Sequence, residues 1–558
     1  MNKTIKTISS LAFSGMLMFG ATACGNKTGR KNPAGTLRIF TYTGQNYEGI
    51  DMDSVFKKIE EESGVKLAFE GASSADYYTK LAPMMNTGDF PDVIWSDPKN
   101  SSGNFDSWAD PDTNNLLWNL DELLVGNEER YPYLTKLIYS PTYKNIKYFD
   151  GHYLVPNVSA PGWAIYYRAD WLEQIGFVDE NGKAKAPVTL AEFEYVMQKF
   201  SGNDLFVDEN GTKSGQTWGI SPNAEPFYVN PLYTAFGIFA DWEFDANGEI
   251  SYMYTNDGIK DYISWMNAMY QKGYIDPQFN TNTGSRDRED KWYTGKVGCI
   301  MTNGGEHMTW VVGQFEQNRG EGKVIVGPPP TGTGEISSIT GKKLGVAGEG
   351  GFSNWGTTYG GYAITKACAD PHKALDFFEY LNSPEGTKIK MYGIEGTHYE
   401  LKDGKISPIL SNRDREGSSF WQSTKSVENT TVLSGLHKIG SLFGGVIDWE
   451  TYEETGEVLC ITDFSSSYPK YADLIEKSQD YRKLKTGKLV NFTAYPASIS
   501  TKMKQIQDLS STYLLQAILG QKNLTSDWND MISDCQKFNY STICRIIKET
   551  AQANGIGE

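Results

Sequence analysis

The alternation of strand and helix signals from residue 36 onward constrains this chain more than any other feature. Leu37 to Tyr42 (LRIFTY) reads as a buried strand. Val55, Phe56 and Ile59 mark one face of the helix that follows, and Gly64 stands where a left-handed residue would close it. Val65 to Glu70 is a second strand, residues 74–86 a second helix, and Asp92 to Trp95 a third, short strand. A β-α-β-α-β order predicts a parallel sheet with right-handed crossovers. In such sheets ligands collect beyond the carboxyl ends of the strands, here Tyr42–Tyr47, Gly71–Asp76 and Trp95–Asp97.

A second unit opens near residue 160, where Trp163 to Tyr167 reads as a strand. Thr189-Leu190-Ala191-Glu192 is a capping box, and Val188 with Phe193 could staple the same helix start. Ile259, Ile263, Met266 and Met269 form another helix face, ended by Gly273. Asp370-Pro371 and Ser383-Pro384 each place an N-cap before a proline at the first helical position. The last 60 residues look mainly helical.

The first 23 residues read as an export leader. Lys3 and Lys6 precede a mostly apolar stretch from Ile8 to Phe19, and Ala21-Thr22-Ala23 supplies the small residues of a cleavage site. Cys24 follows directly, as in the lipobox of bacterial lipoproteins, with Ala21 where leucine is preferred. A Cys24 carrying a palmitate-type diacylglycerol would anchor the chain at the outer face of the cell membrane. Residues 24–35 then serve as a tether. The charge is −17 over all 558 residues and −19 without the leader, which argues against nucleic-acid partners. The 14 Trp, 33 Tyr and 26 Phe exclude wholesale disorder.

Catalytic signatures are missing. The sequence has no GxSxG elbow, no HExxH and no GxxxxGK[ST], and its five His never fall at ligand spacing. Its acidic pairs are too numerous to single out a glycosidase dyad. The fragments at Asp179, Asp208 and Asp245 resemble calcium loops, but each also fits an Asx or hairpin turn, and Gly219 stands where the 208 loop would need its closing Glu. No metal and no cofactor are expected. The cysteines read as core thiols, with a Cys535–Cys544 pair left open.

Five stretches carry a family likeness: PDVIWSDP (91–98), YLVPNVSAPGWAIYYRADWLEQIGF (153–177) with APVTLAEFEYV (186–196), YTGKVGCIMTNGGEHMTW (293–310), GGYAITKACADPHKALDFFEYLNSPEG (360–386) and YGIEGTHYEL (392–401). Their order resembles the extracellular solute-binding proteins of family 1, the group of maltose-binding protein, and more closely its long LplA-type lipoprotein branch. The resemblance implies a two-lobed α/β fold of the periplasmic-binding-protein type II, with crossing strands as a hinge. Residues 36–157 and 300–382 would form lobe 1. Residues 158–299 and 383–558 would form lobe 2, with a helical C-terminal extension. It implies a monomer that binds an oligosaccharide in the interlobe cleft and delivers it to an ABC transporter permease. A secreted glycan-active enzyme and a peptide-binding importer component are the alternatives. Sugar rings stack on aromatic faces and their hydroxyls need polar partners. The ligand-binding candidates are therefore Tyr42, Tyr47, Trp95, Trp163, Tyr228, Trp310 and Trp355, with Asn46, Asp76, Asp97, Arg168, Asn223, Glu225, Asn303, Glu306 and Asn354 beside them.

Overall fold

The computed structural model describes residues 35–42, 52–72, 76–96, 104–141, 143–144, 147–149, 151–158, 163–208, 210–225, 231–245, 247–282, 285–304, 308–352, 358–402, 405–408, 447–456, 469–482 and 497–553. The first five elements follow the sequence pattern: β1 (Thr36–Tyr42), α1 (Met52–Ser63), β2 (Lys66–Ala72), α2 (Tyr77–Thr87) and β3 (Val93–Ser96). Gly64 closes α1 with φ +69°, the left-handed conformation its place demands.

The remaining strands are β4 (Val155–Val158), β5 (Trp163–Arg168), β6 (Gly202–Asn203), β7 (Gln216–Thr217), β8 (Trp242–Phe244), β9 (Ile250–Tyr252), β10 (Cys299–Asn303), β11 (Val324–Gly327) and β12 (Thr358–Ile364). The larger sheet has the order β2-β1-β3-β12-β4. Strands β1, β2 and β3 pair in parallel, as the alternation predicts. The sheet is nonetheless mixed, because β12 runs antiparallel to both β3 and β4. That strand arrives more than 250 residues after β3, so the local pattern carries no sign of it.

A second sheet has the order β10-β5-β11, all antiparallel. Parallel bridges Trp218–Val297 and Ile220–Ile275 extend it by laying residues 218–220 between 274–276 and 296–299. Strand period two sends alternate side chains of β5 to opposite faces. Ala164 and Tyr166 join a buried cluster built mainly on the first sheet, while Ile165 and Tyr167 join a second cluster with the Leu190–Phe200 and Gly258–Gln271 helices.

The C-terminal segment is helical at Ala497–Ile518, Trp528–Gln536 and Tyr540–Ala553. These helices pack into the second cluster through Ile506, Leu514, Ile543 and Ile547. Ile389, Tyr471 and Ile475 lie in the first cluster, although the sequence reading groups residues 383–558 with lobe 2. Among the described residues no helix is long and apolar enough to cross a membrane.

Several local expectations are met atom by atom. Thr189 accepts from the Glu192 amide while Glu192 reaches back to the Thr189 amide, completing the capping box. Asp370 and Ser383 cap the Pro371–Asn382 and Pro384–Tyr392 helices. The hydrophobic staple does not form: Val188 is 50% exposed, and its backbone instead pairs with Thr331.

The calcium-like fragments are turns closed by their own aspartates. Asp179, Asp208 and Asp245 each accept from the amides two and four residues on, at 2.8–2.9 Å. These bonds hold all three carboxyls below the usual range. Cys299, Cys368, Cys535 and Cys544 are free thiols.

Candidate functional site

Strand direction brings one end of each sheet together. In the first sheet Tyr42 pairs with Ala72, and Phe40 with Ile94, so β1, β2 and β3 finish level. Gly361 of β12 lies opposite Ser96, and Thr358 opposite Val158, so β4 also ends on this side. The chain then passes to Trp163, the first residue of β5. Five residues span at most about 18 Å, so the entry of the second sheet lies close beside the exit of the first.

At that entry Trp163 is paired with Asn303, the last residue of β10. Residues 218–220 run parallel to β10, so the segment from Ser221 to Glu225 emerges at the same end. The structure thereby gathers Trp163, Asn303, Asn223 and Glu225 on one side, and the strand ends at Tyr42, Ala72 and Ser96 on the other.

A polar network fixes the 221–225 segment. Ser221 Oγ donates to Asp276 Oδ2 at 2.8 Å, and Asn282 Nδ2 donates to Ser221 Oγ at 2.8 Å and to the Pro222 carbonyl at 2.7 Å. The Ala224 amide donates to the Asn282 carbonyl at 2.9 Å. Lys291 Nζ donates to Asn282 Oδ1 at 2.9 Å and forms an ion pair with Asp276, which is 2% exposed. A buried carboxylate so provided with a cation and a hydroxyl donor is stable, whereas removing the cation would leave it uncompensated. Glu225 accepts from the Tyr254 hydroxyl, and burial pushes its carboxyl above the usual range. Asn223 is buried, and among the described residues its side-chain carbonyl oxygen has no hydrogen-bond partner.

On the first side, Tyr77 donates through its hydroxyl to the Phe40 and Trp95 carbonyls at 3.1 and 2.5 Å, tying α2 to the ends of β1 and β3. Thr41 and Tyr362 share a 2.8 Å hydrogen bond between β1 and β12. Ser96 is fully buried, and among the described residues its hydroxyl has no partner.

Two candidates sit elsewhere than the sequence reading puts them. Trp95 is a core residue: it is 5% exposed and edge-on to Tyr77 with ring centroids 5.5 Å apart. Arg168 is buried at the far end of β5, where Nε donates to Asp170 at 2.7 Å and the guanidinium stacks 4.4 Å from the Trp171 ring. Asp76 precedes α2 without capping it by its side chain. Tyr42 and Asn303 end their strands, and Trp310 lies in the Met308–Arg319 helix. Asn46, Tyr47, Asp97, Tyr228, Glu306, Asn354, Trp355 and Cys24 lie outside the described residues. The sequence reading missed Ser96, Ser221, Asp276, Asn282 and Lys291, whose partners stand up to 70 residues apart with no motif to join them.

A model of the bacterial extracellular solute-binding protein family matches residues 54–397. The chain belongs to that family. This solute-binding protein is 22% identical over 432 residues to lipoprotein LipO of Bacillus subtilis, covering 72% of this chain and 75% of that one. It is 22% identical over 364 residues to a polygalacturonan/rhamnogalacturonan-binding protein of the same organism, covering 63% and 65%. An alginate-binding protein crystallised without calcium superposes with a TM-score of 0.62 at 17% identity, covering 93% of this chain and 98% of that one. The fold is the type II periplasmic solute-binding fold, and the family is one of extracellular solute-binding proteins.

Proposed function

We propose that this protein captures an oligosaccharide between the facing ends of its two sheets and hands it, as a lipid-anchored monomer, to the permease of an ABC importer. The observation that carries the reading is the convergence of Trp163, Asn303, Asn223 and Glu225 at the end of the second sheet that opens toward the first. A ring face can stack on an aromatic there while hydroxyls meet amides and a carboxyl. Similarity to proteins named for binding polygalacturonan and alginate supports a carbohydrate ligand.

Two sheets joined through the short passage from Val158 to Trp163 suit a hinge that closes on the ligand. Binding to the folded state alone raises stability by about 2.7 kcal/mol at a ligand concentration 100 times Kd. Calorimetry and thermal unfolding against an oligosaccharide panel should therefore give a saturable heat and a raised Tm, with the sugar recovered intact by mass spectrometry. Cleaved sugar would point to a glycan-active enzyme, and an absence of binding across the panel would remove the carbohydrate reading.

A further inference from the structure

Asn223 stands out from the segment that carries it. The hydrogen bonds around it satisfy Ser221, Pro222 and Ala224, whereas its own side-chain oxygen has no partner among the described residues. It is 3% exposed, with its Oδ1 unpaired. A buried acceptor without a donor lowers stability, and a hydroxyl of a bound ligand is one group that supplies the missing partner. The network of Asp276, Asn282 and Lys291 holds the flanking backbone, so the amide is set before any ligand arrives.

The charges around this segment indicate the kind of ligand. Glu225 is half-buried and faces Tyr254, with Asp241 close enough to oppose its ionisation. Among the described residues, Lys291 is paired with Asp276 and Lys504 with Asp508. A ligand carboxylate placed here would be opposed by Glu225 and Asp241, whereas a ring hydroxyl can donate to Asn223.

We infer that this end of the cleft selects an uncharged oligosaccharide, with Asn223 Oδ1 accepting a ring hydroxyl, and excludes uronate sugars. The inference rests on the oligosaccharide reading above and deepens it. It runs against the ligands named for the alginate- and polygalacturonan-binding relatives.

The test compares galacto-, arabino-, xylo-, manno- and fructo-oligosaccharides with oligogalacturonate and oligoalginate, by calorimetry, on the wild type and on Asn223→Leu. The expected result is binding of a neutral sugar only, weakened about tenfold or more in the variant, the loss of one buried hydrogen bond. The ligand-free variant should melt no lower than the wild type, because leucine removes an unpaired polar group. Uronates bound in preference would overturn the inference and leave the oligosaccharide reading standing. Silence from every sugar would overturn that reading itself. A neutral sugar bound equally by the variant, or a variant that melts lower without ligand, would make Asn223 a structural residue.

Discussion

Glu243 lies in β8, half-buried, and accepts from the Phe239 amide at 2.8 Å. Burial pushes its carboxyl from 4.5 up to about 7, only partly opposed by the amides of Phe239 and Ala240. The sign of the linkage follows. Below pH 4.5 the group is protonated in both folded and unfolded chains and contributes no slope. Between 4.5 and about 7 the unfolded chain releases the proton first, so stability falls as pH rises. Above about 7 the loss is complete. Glu243→Gln keeps an oxygen for the Phe239 amide and removes the charge. Urea unfolding should show the variant more stable than the wild type at pH 8 and close to it at pH 4. A variant less stable at pH 8 yet close to the wild type at pH 4 would mean that the ionised form is favoured by the fold.

The same scale shows why some residues are legible in the sequence and others not. The Thr189 and Glu192 capping box is written in four consecutive letters, and its atoms sit where those letters put them. The Lys291–Asp276 pair joins residues 15 apart and depends on Asn282 and Ser221 as well. Tertiary contact alone creates it, so charge pattern could not reveal it. Trp95 misled because a Trp at a strand end fits both a ligand wall and a core. The structure decides for the core because Tyr77 offers its ring and Gly360 leaves room for the indole.

Among the elements, β12 joins the first sheet at its most exacting contact. Gly360 has φ +68°, and a Cβ there would lie 2.4 Å from the Ser96 carbonyl oxygen and 2.9 Å from the Trp95 ring. Left-handed backbone costs a residue with a Cβ about 1–2 kcal/mol, and the clash with backbone adds to it. Gly360→Ala should therefore destabilise clearly more than Thr189→Ala, whose lost cap costs about 1 kcal/mol. Denaturant midpoints of the two variants check the order. Equal losses would show that β12 can shift away from β3 at little cost. The pattern of strands and helices predicts β1 to β3 well because period two and period 3.6 are local signals. It is silent on β12 and on the 218–220 addition to the second sheet, whose neighbours are chosen by packing.

At the scale of the molecule, the fold leaves the place in the cell open, and the proposed leader and Cys24 would assign it. If Cys24 carries the anchor, Cys24→Ser should abolish incorporation of labelled palmitate and move the protein from the membrane fraction to the medium. A variant that stays with the membrane would transfer anchoring to another part of the chain. The two-sheet design also explains why a protein can be specific without a motif. Trp163, Asn303 and Asn223 meet because three strands end together, although 140 positions of sequence separate the first from the second.

The weaving of the chain through both cores bears on its synthesis. The first core contains side chains from Leu37 to Ile475, and the second from Ile165 to Ala551. The second cannot close while the ribosome still holds the last quarter of the chain, and the first still lacks Tyr471 and Ile475. A product released early by a premature stop would keep the helices of both units yet leave wide apolar faces uncovered, and it would meet chaperones and proteases as a folding failure. Quality control of this protein is thus built into the order in which its residues are made.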